Sequence, residues 1–477
     1  MNELGIPVLL VFIGTYIAIS SEKVNRTGMA LLGMGAIGFV FWAAILLGLP
    51  STQNWEIGPF AEIVFHIEWD TVLFVTSMMI IVAVAAASGM FQYIALMLVR
   101  PSRGDQRYLF VTFLLFVLGI SLFFDTVSTM LIMAPLTIEV CKALEIDFKP
   151  FLIAESITCN FASIPSIVGA VPNLVIATQV ERETGRSIVG ELFLVFLPLA
   201  IILFVVSTPL FLRYYKVSFG TTDSHRMEVV AEIDPSSMIT SRRDFYASAI
   251  AIVILVVGFG FGPGFGLRPP VVALVIAAFF LILSHDRAND FLMKIGWDTV
   301  FFLVGLFGLV GALIITGLID DLAVYTSAII GDNLTIATSF MIWIPAMLSA
   351  FLDNLPVSMV LAPIAVFEGL PAAITGILPF ALIFAVNIGG YIFTPLGSPA
   401  NMVAMGFSER EHNPISFMEF AKIGTILGFI HLGLGTGWLL LVGMFGILPV
   451  FLIGMAIAVV LLAIFMRPFV KASSEQA

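Results

Sequence analysis

Two aspartates lie in strongly apolar stretches of the sequence, one in each half of the chain. Asp125 is part of FFDTVSTMLIMAP (123–135), and Asp353 is part of FLDNLPVSMVLAP (351–363). A carboxylate in the hydrocarbon region of a membrane is costly unless it is paired, hydrated or neutralised, and such residues usually mark ion or proton pathways. Hard cations prefer oxygen ligands, and hydroxyl and amide side chains beside each aspartate supply them. The ligands predicted at these two positions are Asp125, Thr126, Ser128, Thr129, Asp353, Asn354 and Ser358.

Two further stretches combine proline, glycine and small polar residues inside apolar segments. They are NFASIPSIVGAVPN (160–173) and NIGGYIFTPLGSPAN (387–401). Proline removes a backbone donor and glycine loosens a helix, so backbone carbonyls and hydroxyls become available at mid-membrane depth. A packing kink explains either stretch alone, but two matched stretches, each with an aspartate motif, favour a binding site lined by broken helices. The predicted ligands are Asn160, Ser163, Ser166, Asn173, Asn387, Thr394, Ser398 and Asn401.

The composition is that of a membrane protein. Of the 477 residues 60% are apolar and 11% are charged, which leaves more apolar surface than a soluble fold could cover. The net charge of −11 does not favour nucleic acid as a partner. Cys141 and Cys159 are better explained as structural thiols than as a disulfide framework or metal site. Residues 5–19 lack the basic flank and cleavage motif of a signal peptide, so they are interpreted as a first span.

Apolar runs of about 17 to 25 residues, the length that crosses about 30 Å of hydrocarbon, define the candidate spans. They are 6–20, 28–49, 70–99, 150–178, 191–212, 245–262, 268–284, 298–327, 376–405, 419–442 and 445–466. Two regions remain, 108–141 and 335–370, and each is a pair of apolar legs that meet at an aspartate motif. A continuous helix of that length would overshoot the bilayer, so each region is predicted to form a re-entrant hairpin.

The lysines and arginines test this arrangement, because cytoplasmic loops carry an excess of them. With the N-terminus outside, the C-terminus in the cytoplasm and both hairpins returning to their own side, all but three of the 21 lie inside. The exceptions are Arg182, Arg186 and Arg268. If hairpin 108–141 crossed the membrane once, the basic loop 213–243 would lie outside. The predicted location is the inner cell membrane, which the chain crosses several times.

The chain is a duplicated unit. WDTVLF at Trp69 recurs as WDTVFF at Trp297, and the same interval separates Asp125 from Asp353 and Asn173 from Asn401. The first copy enters the membrane from outside and the second from inside, so the sequence predicts an all-α polytopic membrane protein with two inverted-topology repeats, an arrangement common in secondary transporters. The predicted domains are scaffold spans (1–68), repeat 1 (69–212) with hairpin 108–141 and broken helix 150–178, a cytoplasmic linker (213–244), scaffold spans (245–296), repeat 2 (297–442) with hairpin 335–370 and broken helix 376–405, and a C-terminal span and tail (443–477).

These motifs resemble those of the ion transporter superfamily, which includes arsenite permeases, NhaD-type sodium/proton antiporters, the pink-eyed-dilution protein and divalent anion/sodium symporters. The two aspartate motifs, FLIAESITCN, GAVPN and GSPAN carry the resemblance, which covers residues 69–212 and 297–442. It implies a scaffold domain and a mobile transport domain that moves like an elevator, with hairpin tips and unwound helices forming the site. It also implies a possible homodimer.

The leading functional prediction is an ion-coupled secondary transporter that exchanges Na⁺ for H⁺ at the hairpin-tip carboxylates. No lysine or arginine lies deep in a predicted span, so transport of an anion would depend on the N-termini of half-helices and on hydroxyls. A permease for arsenite, another small oxyanion or a carboxylate is the alternative. No cofactor is predicted apart from Na⁺ or H⁺ as coupling ion. A tip aspartate that only caps its half-helix remains an alternative for either copy.

Three other hypotheses concern single residues or other classes of protein. Glu155, five residues before Asn160, is either a proton relay or an acid near the cytoplasmic membrane surface. His431 lies alone in span 419–442 and is better explained as a hydrogen-bonding residue within the helix bundle than as a relay. A passive channel and an intramembrane aspartyl protease, in which two carboxylates share a proton, are remote alternatives.

Overall fold

A computed structural model describes residues 2–20, 23–52, 58–99, 105–216, 234–367 and 369–474. Most of the predicted linker, residues 217–233, lies outside the described residues. The α-helices are α1 (Gly5–Ser20), α2 (Arg26–Leu46), α3 (Pro59–Phe65), α4 (Trp69–Ala87), α5 (Met90–Val99), α6 (Gln106–Ile120), α7 (Thr126–Ala143), α8 (Lys149–Ala162), α9 (Val171–Thr184), α10 (Val189–Tyr214), α11 (Arg242–Phe261), α12 (Pro269–Leu283), α13 (Ala288–Met293), α14 (Trp297–Ile315), α15 (Leu318–Ile330), α16 (Leu334–Phe351), α17 (Asn354–Ala365), α18 (Ala372–Thr375), α19 (Leu378–Gly389), α20 (Pro399–Arg410), α21 (Phe417–Phe445) and α22 (Ile447–Ser474).

The prediction of an all-α polytopic membrane protein is confirmed. Within the described ranges, 9 helices are long and apolar enough to cross a membrane, and the bent pair Pro269–Leu283 and His285–Met293 gives up to 10. Large apolar side chains such as Phe39 (73%) and Ile282 (76%) are exposed, as expected of surfaces that lipid covers. The described ranges contain helices, short 3₁₀ turns and loops, and no β-strand.

The helices of the two copies begin at matching positions. The starts of α4 and α14 are separated by the interval between the two tryptophan motifs, and the same interval separates α5 from α15, α6 from α16, α7 from α17, α9 from α20, and α10 from α21. The caps match as well: the side chains of Asp105 and Asn333 accept backbone N–H groups at the starts of α6 and α16. The same local sequence signals therefore start the same helices twice. The inversion of the two copies across the membrane stays a prediction.

Two spans predicted as continuous are broken. The stretch 70–99 divides into α4 and α5 at Gly89, which has φ +83, and the stretch 298–327 divides into α14 and α15 at Gly317, which has φ +73. Glycine adopts this left-handed conformation without the steric cost that a side chain adds, so it ends one helix and lets the chain turn into the next. Apolar length alone, on which the spans were predicted, does not reveal either turn.

The two hairpins and the two broken helices pack crosswise. In each hairpin, two apolar helices meet at an aspartate: α6 and α7 at Asp125, and α16 and α17 at Asp353. The second leg of hairpin 1, α7, packs on α20, which is the second half of the other copy's broken helix. In the same way α17 packs on α9. Each copy thus completes the packing of the other.

Charged pairs at the helix ends agree with the predicted sides of the membrane. Arg182 and Arg268, both predicted to lie outside, pair with Glu68 and Asp70 at the start of α4. On the predicted cytoplasmic side, Lys142 pairs with Glu411, and Lys149 lies 4.0 Å from Glu419. The first two pairs join repeat 1 to scaffold residues and the last two join repeat 1 to repeat 2, so all four group ends that the positive-inside pattern groups.

Cysteine labelling of intact cells tests the re-entrant hairpins. Single cysteines in place of Arg107 and Asp147, which are both exposed and flank hairpin 1, should react only with a membrane-permeant reagent, because both ends return to the cytoplasm. Cysteines at Asp332 and Gly369, which flank hairpin 2, should react with an impermeant reagent from outside. The native thiols of Cys141 and Cys159 are free and buried, so the unmodified protein is the control. If the two ends of one hairpin label from opposite faces, the inverted-repeat topology is wrong.

Candidate functional site

Each tip aspartate caps the helix that follows it. The Oδ1 of Asp125 accepts the backbone N–H groups of Val127 (3.0 Å) and Ser128 (3.1 Å), and its Oδ2 accepts the Ser128 hydroxyl. The Oδ1 of Asp353 accepts the N–H of Leu355 (3.1 Å). The second oxygen of Asp353 receives no hydrogen bond from the described residues, whereas both oxygens of Asp125 receive one. The capping role and an ion-binding role are compatible, because a carboxylate oxygen has more than one lone pair.

Both predicted breaks in the helices are present, and each packs on the tip of its own hairpin. The first break lies between α8 and α9, and the second between α19 and α20. A Cβ on Gly169 would overlap the Ser163 carbonyl oxygen and lie 2.6 Å from that of Ser121, and a Cβ on Gly397 would overlap the Ser349 carbonyl oxygen. Only glycine allows this approach of backbone to backbone.

The four predicted asparagines form two equivalent cross-repeat hydrogen bonds. The Nδ2 of Asn160 donates to the Oδ1 of Asn401 at 3.1 Å, and the Nδ2 of Asn387 donates to the Oδ1 of Asn173 at 2.8 Å. The first asparagine of each broken helix thus bonds the second asparagine of the other. Asn160 and Asn387 also donate to the carbonyls of Ser156 and Ile383, one turn earlier. We call these four asparagines the asparagine quartet.

Several buried oxygen atoms at the centre of the fold have no hydrogen-bond partner among the described residues. They are the Oδ1 atoms of Asn160 and Asn387 and the hydroxyl of Ser398. Asn160 Oδ1 and the Ser398 side chain both lie against Gly390, because a Cβ there would be 3.4 Å from the first and 3.0 Å from the second. Leaving a buried acceptor without a partner costs about 1–3 kcal/mol, so these atoms are suited to a cation or other donor.

Other predicted ligands have backbone partners. The hydroxyls of Ser163, Thr394 and Ser358 donate to the carbonyls of Asn160, Ala350 and Leu355, at distances from 2.6 to 2.8 Å. That of Thr129 lies 3.5 Å from the Phe124 carbonyl, and that of Ser166 accepts the N–H of Val168. The backbone N–H of Asn354 donates to Gly397, and the Thr126 carbonyl accepts the Cys159 thiol. These residues mostly fix the tips and breaks in place.

Within the described residues, no hydrogen bond joins the two aspartates to the asparagine quartet. In the described part of the chain, all hydrogen bonds to the two carboxylates come from their own helices. Asp125 borders a cavity of about 10 Å³, enough for one water-sized particle, which is otherwise apolar. It is lined by Phe74, Val75, Met78, Ile167, Val168 and Val171. Asp353 is within electrostatic reach of Tyr16 on α1 and Arg26 at the start of α2. The tip of hairpin 1 therefore faces α4 and the first break, and the tip of hairpin 2 lies near the start of α2 and near α1.

A buried chain of hydrogen bonds, most of which sequence reasoning missed, supports the second break. His431 Nδ1 is 2.6 Å from the Tyr391 hydroxyl, and its Nε2 is 2.8 Å from that of Ser207. Since Ser207 donates to the Leu203 carbonyl, it accepts from Nε2–H, and Tyr391 donates to Nδ1. His431 is thus a hydrogen-bonding residue within the bundle, as the sequence favours. Tyr391 lies in the stretch 387–401 that the sequence analysis singled out. Its position in that stretch was the signal that could have pointed to these hydrogen bonds.

Glu155 is fully buried within the protein. One of its two oxygens, Oε1, accepts the hydroxyl of Thr137 at 2.7 Å, and the other has no partner among the described residues. The sequence placed Glu155 near the cytoplasmic end because it follows Pro150 by five residues. Packing of α8 against α6, α7, α19 and α20 covers that part of the helix.

Comparison with known proteins gives the family. A family model described as citrate transporter matches residues 16–374. The 46 kDa membrane protein of Mycobacterium leprae is 30% identical over 90% of this chain and 97% of its own length, and an uncharacterized transporter of Mycobacterium bovis is 29% identical over 91% and 98%. The P protein of Homo sapiens is 26% identical over 90% of this chain, which spans 58% of that longer protein.

A solved structure shares the fold. The YdaH transporter of Alcanivorax borkumensis superposes with a TM-score of 0.50 over 92% of this chain and 98% of its own, at 14% identity. These findings confirm the resemblance to the ion transporter superfamily. The match over most of the chain, together with the paired hairpins and broken helices, shows that the protein is a membrane transporter of the citrate transporter family.

Proposed function

We propose that the protein is an ion-coupled secondary active transporter that exchanges Na⁺ for H⁺. Asp125 and Asp353 would be the groups for which the two cations compete, and the asparagine quartet would add neutral oxygen ligands. The two copies would form inverted repeats, and the hairpins and broken helices would move together as an elevator against the scaffold. The site would then face each side of the inner membrane in turn.

The main support is an oxygen-rich core without basic residues. Among the buried side chains of the described residues there is no lysine or arginine, while Asn160 Oδ1, Asn387 Oδ1 and Ser398 Oγ are acceptors without donors. Na⁺ binds to oxygen ligands, and desolvated carboxylates attract it strongly. The small cavity beside Asp125 is the right size for one such particle. This set of groups suits a cation better than an anion.

Transport of a carboxylate such as citrate is the second candidate, and two features favour it. The family model is described as citrate transporter. In addition, α9 and α20 begin at the two breaks without a side-chain cap, so the positive ends of their helix dipoles are available to an anion. The N-termini of α7 and α17 do not, because Asp125 and Asp353 already occupy them. Arsenite stays a third substrate hypothesis, and a homodimer is a proposal for the assembly.

Proteoliposomes that contain the purified protein test the proposal. A pH gradient is preset, and Na⁺, Li⁺, K⁺, citrate, arsenite and sulfate are added one at a time while an internal pH dye is read. Exchange predicts that Na⁺ dissipates the gradient and that citrate alone does not. Protein-free liposomes are the control for leakage. A response to citrate or arsenite with none to alkali cations would overturn the exchange proposal in favour of the second or third candidate.

A further inference from the structure

Glu155 stands out among the buried polar groups because nothing in its surroundings compensates a charge. It is 0% exposed, and its single hydrogen bond comes from the Thr137 hydroxyl, which is also fully buried. Its Oε2 has no partner among the described residues. An ionised carboxylate in such a place loses its hydration without gaining a counter-ion, and this costs several kcal/mol. In this conformation the carboxyl group is therefore neutral and holds a proton.

The second copy provides an internal comparison. Ala365 follows Asp353 at the same distance along the chain as Thr137 follows Asp125, so it occupies the place of Thr137. Leu382 precedes the quartet residue Asn387 by as many positions as Glu155 precedes Asn160, so it occupies the place of Glu155. Both Ala365 and Leu382 are fully buried. The fold thus packs this position with two apolar side chains in one copy, and it does not need a carboxylic acid there for stability.

Glu155 is also placed where it can sense the ion site. It precedes Asn160 by five residues on the same helix, which is about 7.5 Å along the axis. Its partner Thr137 is on α7, the helix that Asp125 caps at its other end. The Glu155–Thr137 contact therefore connects α7, which begins at the tip of hairpin 1, to α8, which carries the quartet residue Asn160.

We propose that Glu155 is a further proton-binding group of the transport cycle, in addition to the tip carboxylates at which Na⁺ and H⁺ compete, and that Thr137 orients its carboxyl group. This inference rests on the proposed proton-coupled function and adds a proton-binding residue that one copy alone provides. The acid is neutral while it is packed between α7 and α8. It releases its proton when the elevator movement carries α7 and α8 together to a position where water reaches the carboxyl group.

The other titratable groups near Glu155 do not supply a counter-charge. Cys141 on α7 and Cys159 on α8 lie within its electrostatic reach, and both are buried thiols. Helix α19 has no titratable residue. The remaining groups on α8 and on the helices packed around it are partly or fully exposed. They are Lys149 on α8, Glu139 and Lys142 on α7, Arg107 and Tyr108 on α6, Glu191, Arg213 and Tyr214 on α10, and Glu409 and Arg410 on α20.

The test compares two fluxes in the same proteoliposomes: ion exchange at equal pH on both sides, and ion flux driven by a pH gradient. For Glu155→Gln, which keeps an acceptor for Thr137 but cannot release a proton, the ratio of gradient-driven to equal-pH flux should fall by about tenfold or more. Glu139→Gln replaces an exposed acid two residues after Thr137 and should keep the wild-type ratio. The double variant Thr137→Ala/Glu155→Leu copies the pair of the second repeat, so it keeps the test decisive if Glu155→Gln is poorly folded.

Infrared spectroscopy gives a readout that does not depend on transport. The wild-type protein should show the carbonyl stretch of a protonated carboxylic acid that is absent from Glu155→Gln and shifted in Thr137→Ala. If Glu155→Gln instead loses the band of an ionised carboxylate, the inference is overturned. It is also overturned if Glu155→Gln keeps the wild-type ratio of the two fluxes, or if it loses both fluxes equally. If the wild-type protein carries neither flux, the proposed function itself fails, which is a distinct result.

Discussion

Replacing Asp353 by asparagine is expected to leave a folded, membrane-inserted protein that no longer carries out coupled ion flux. Asparagine is about as good an N-cap as aspartate, so it can still accept the N–H of Leu355, and the free energy of unfolding should change by less than about 0.5 kcal/mol. It cannot hold a negative charge or exchange a proton. Thermal unfolding in detergent and pH-driven flux in proteoliposomes measure the two effects separately.

Asp125→Asn is the matched comparison and should be less damaging. Both oxygens of Asp125 already receive hydrogen bonds from Val127 or Ser128, whereas one oxygen of Asp353 is free to bind a cation. Asp353 also lies close enough to Arg26 for their charges to interact. If the double variant transports ions with wild-type pH dependence, the tip carboxylates are helix caps only. The quartet oxygens would then remain as the candidate cation ligands.

Adding one methyl group at Gly397 is expected to destabilise the protein and abolish transport without changing any polar side chain. The new Cβ would overlap the Ser349 carbonyl oxygen at the tip of hairpin 2, and Gly169→Ala would do the same with Ser163 in the first copy. The obstructing atoms belong to the backbone, so they cannot rotate away. Overpacking of this kind costs about 1–3 kcal/mol per site. The unfolding midpoint of each purified variant and its flux are the measurements.

Two other glycines are controls for the same chemical change. A Cβ on Gly406 in α20 or on Gly119 in α6 would meet no other atom within 4 Å. Since both are in helices, replacement by alanine should stabilise the protein by about 0.5–1 kcal/mol. Alanine is therefore expected to lower the free energy of unfolding at Gly397 and Gly169 and to raise it at Gly406 and Gly119. Normal stability and flux in Gly397→Ala would show that the hairpin tip and the break are not in fixed contact.

Local sequence signals determined much of the fold. Apolar runs predicted the spans, and proline with glycine predicted both broken helices. The constant interval between matching motifs predicted that the same helices would be built twice, which α4 and α14, and α7 and α17, show most directly. These features depend on residues close together in the chain, so a single sequence contains them.

Contacts between distant residues were decided only by the tertiary structure. Packing puts Asn160 against Asn401 and Asn387 against Asn173, and it places Asp125 at a cavity between α4 and the first break. The pairing of Glu155 with Thr137, and of His431 with Tyr391 and Ser207, likewise depends on how helices cross. The angle and distance at which two helices pack decide which side chains meet across them. The spacing of residues along the chain does not determine that angle or distance.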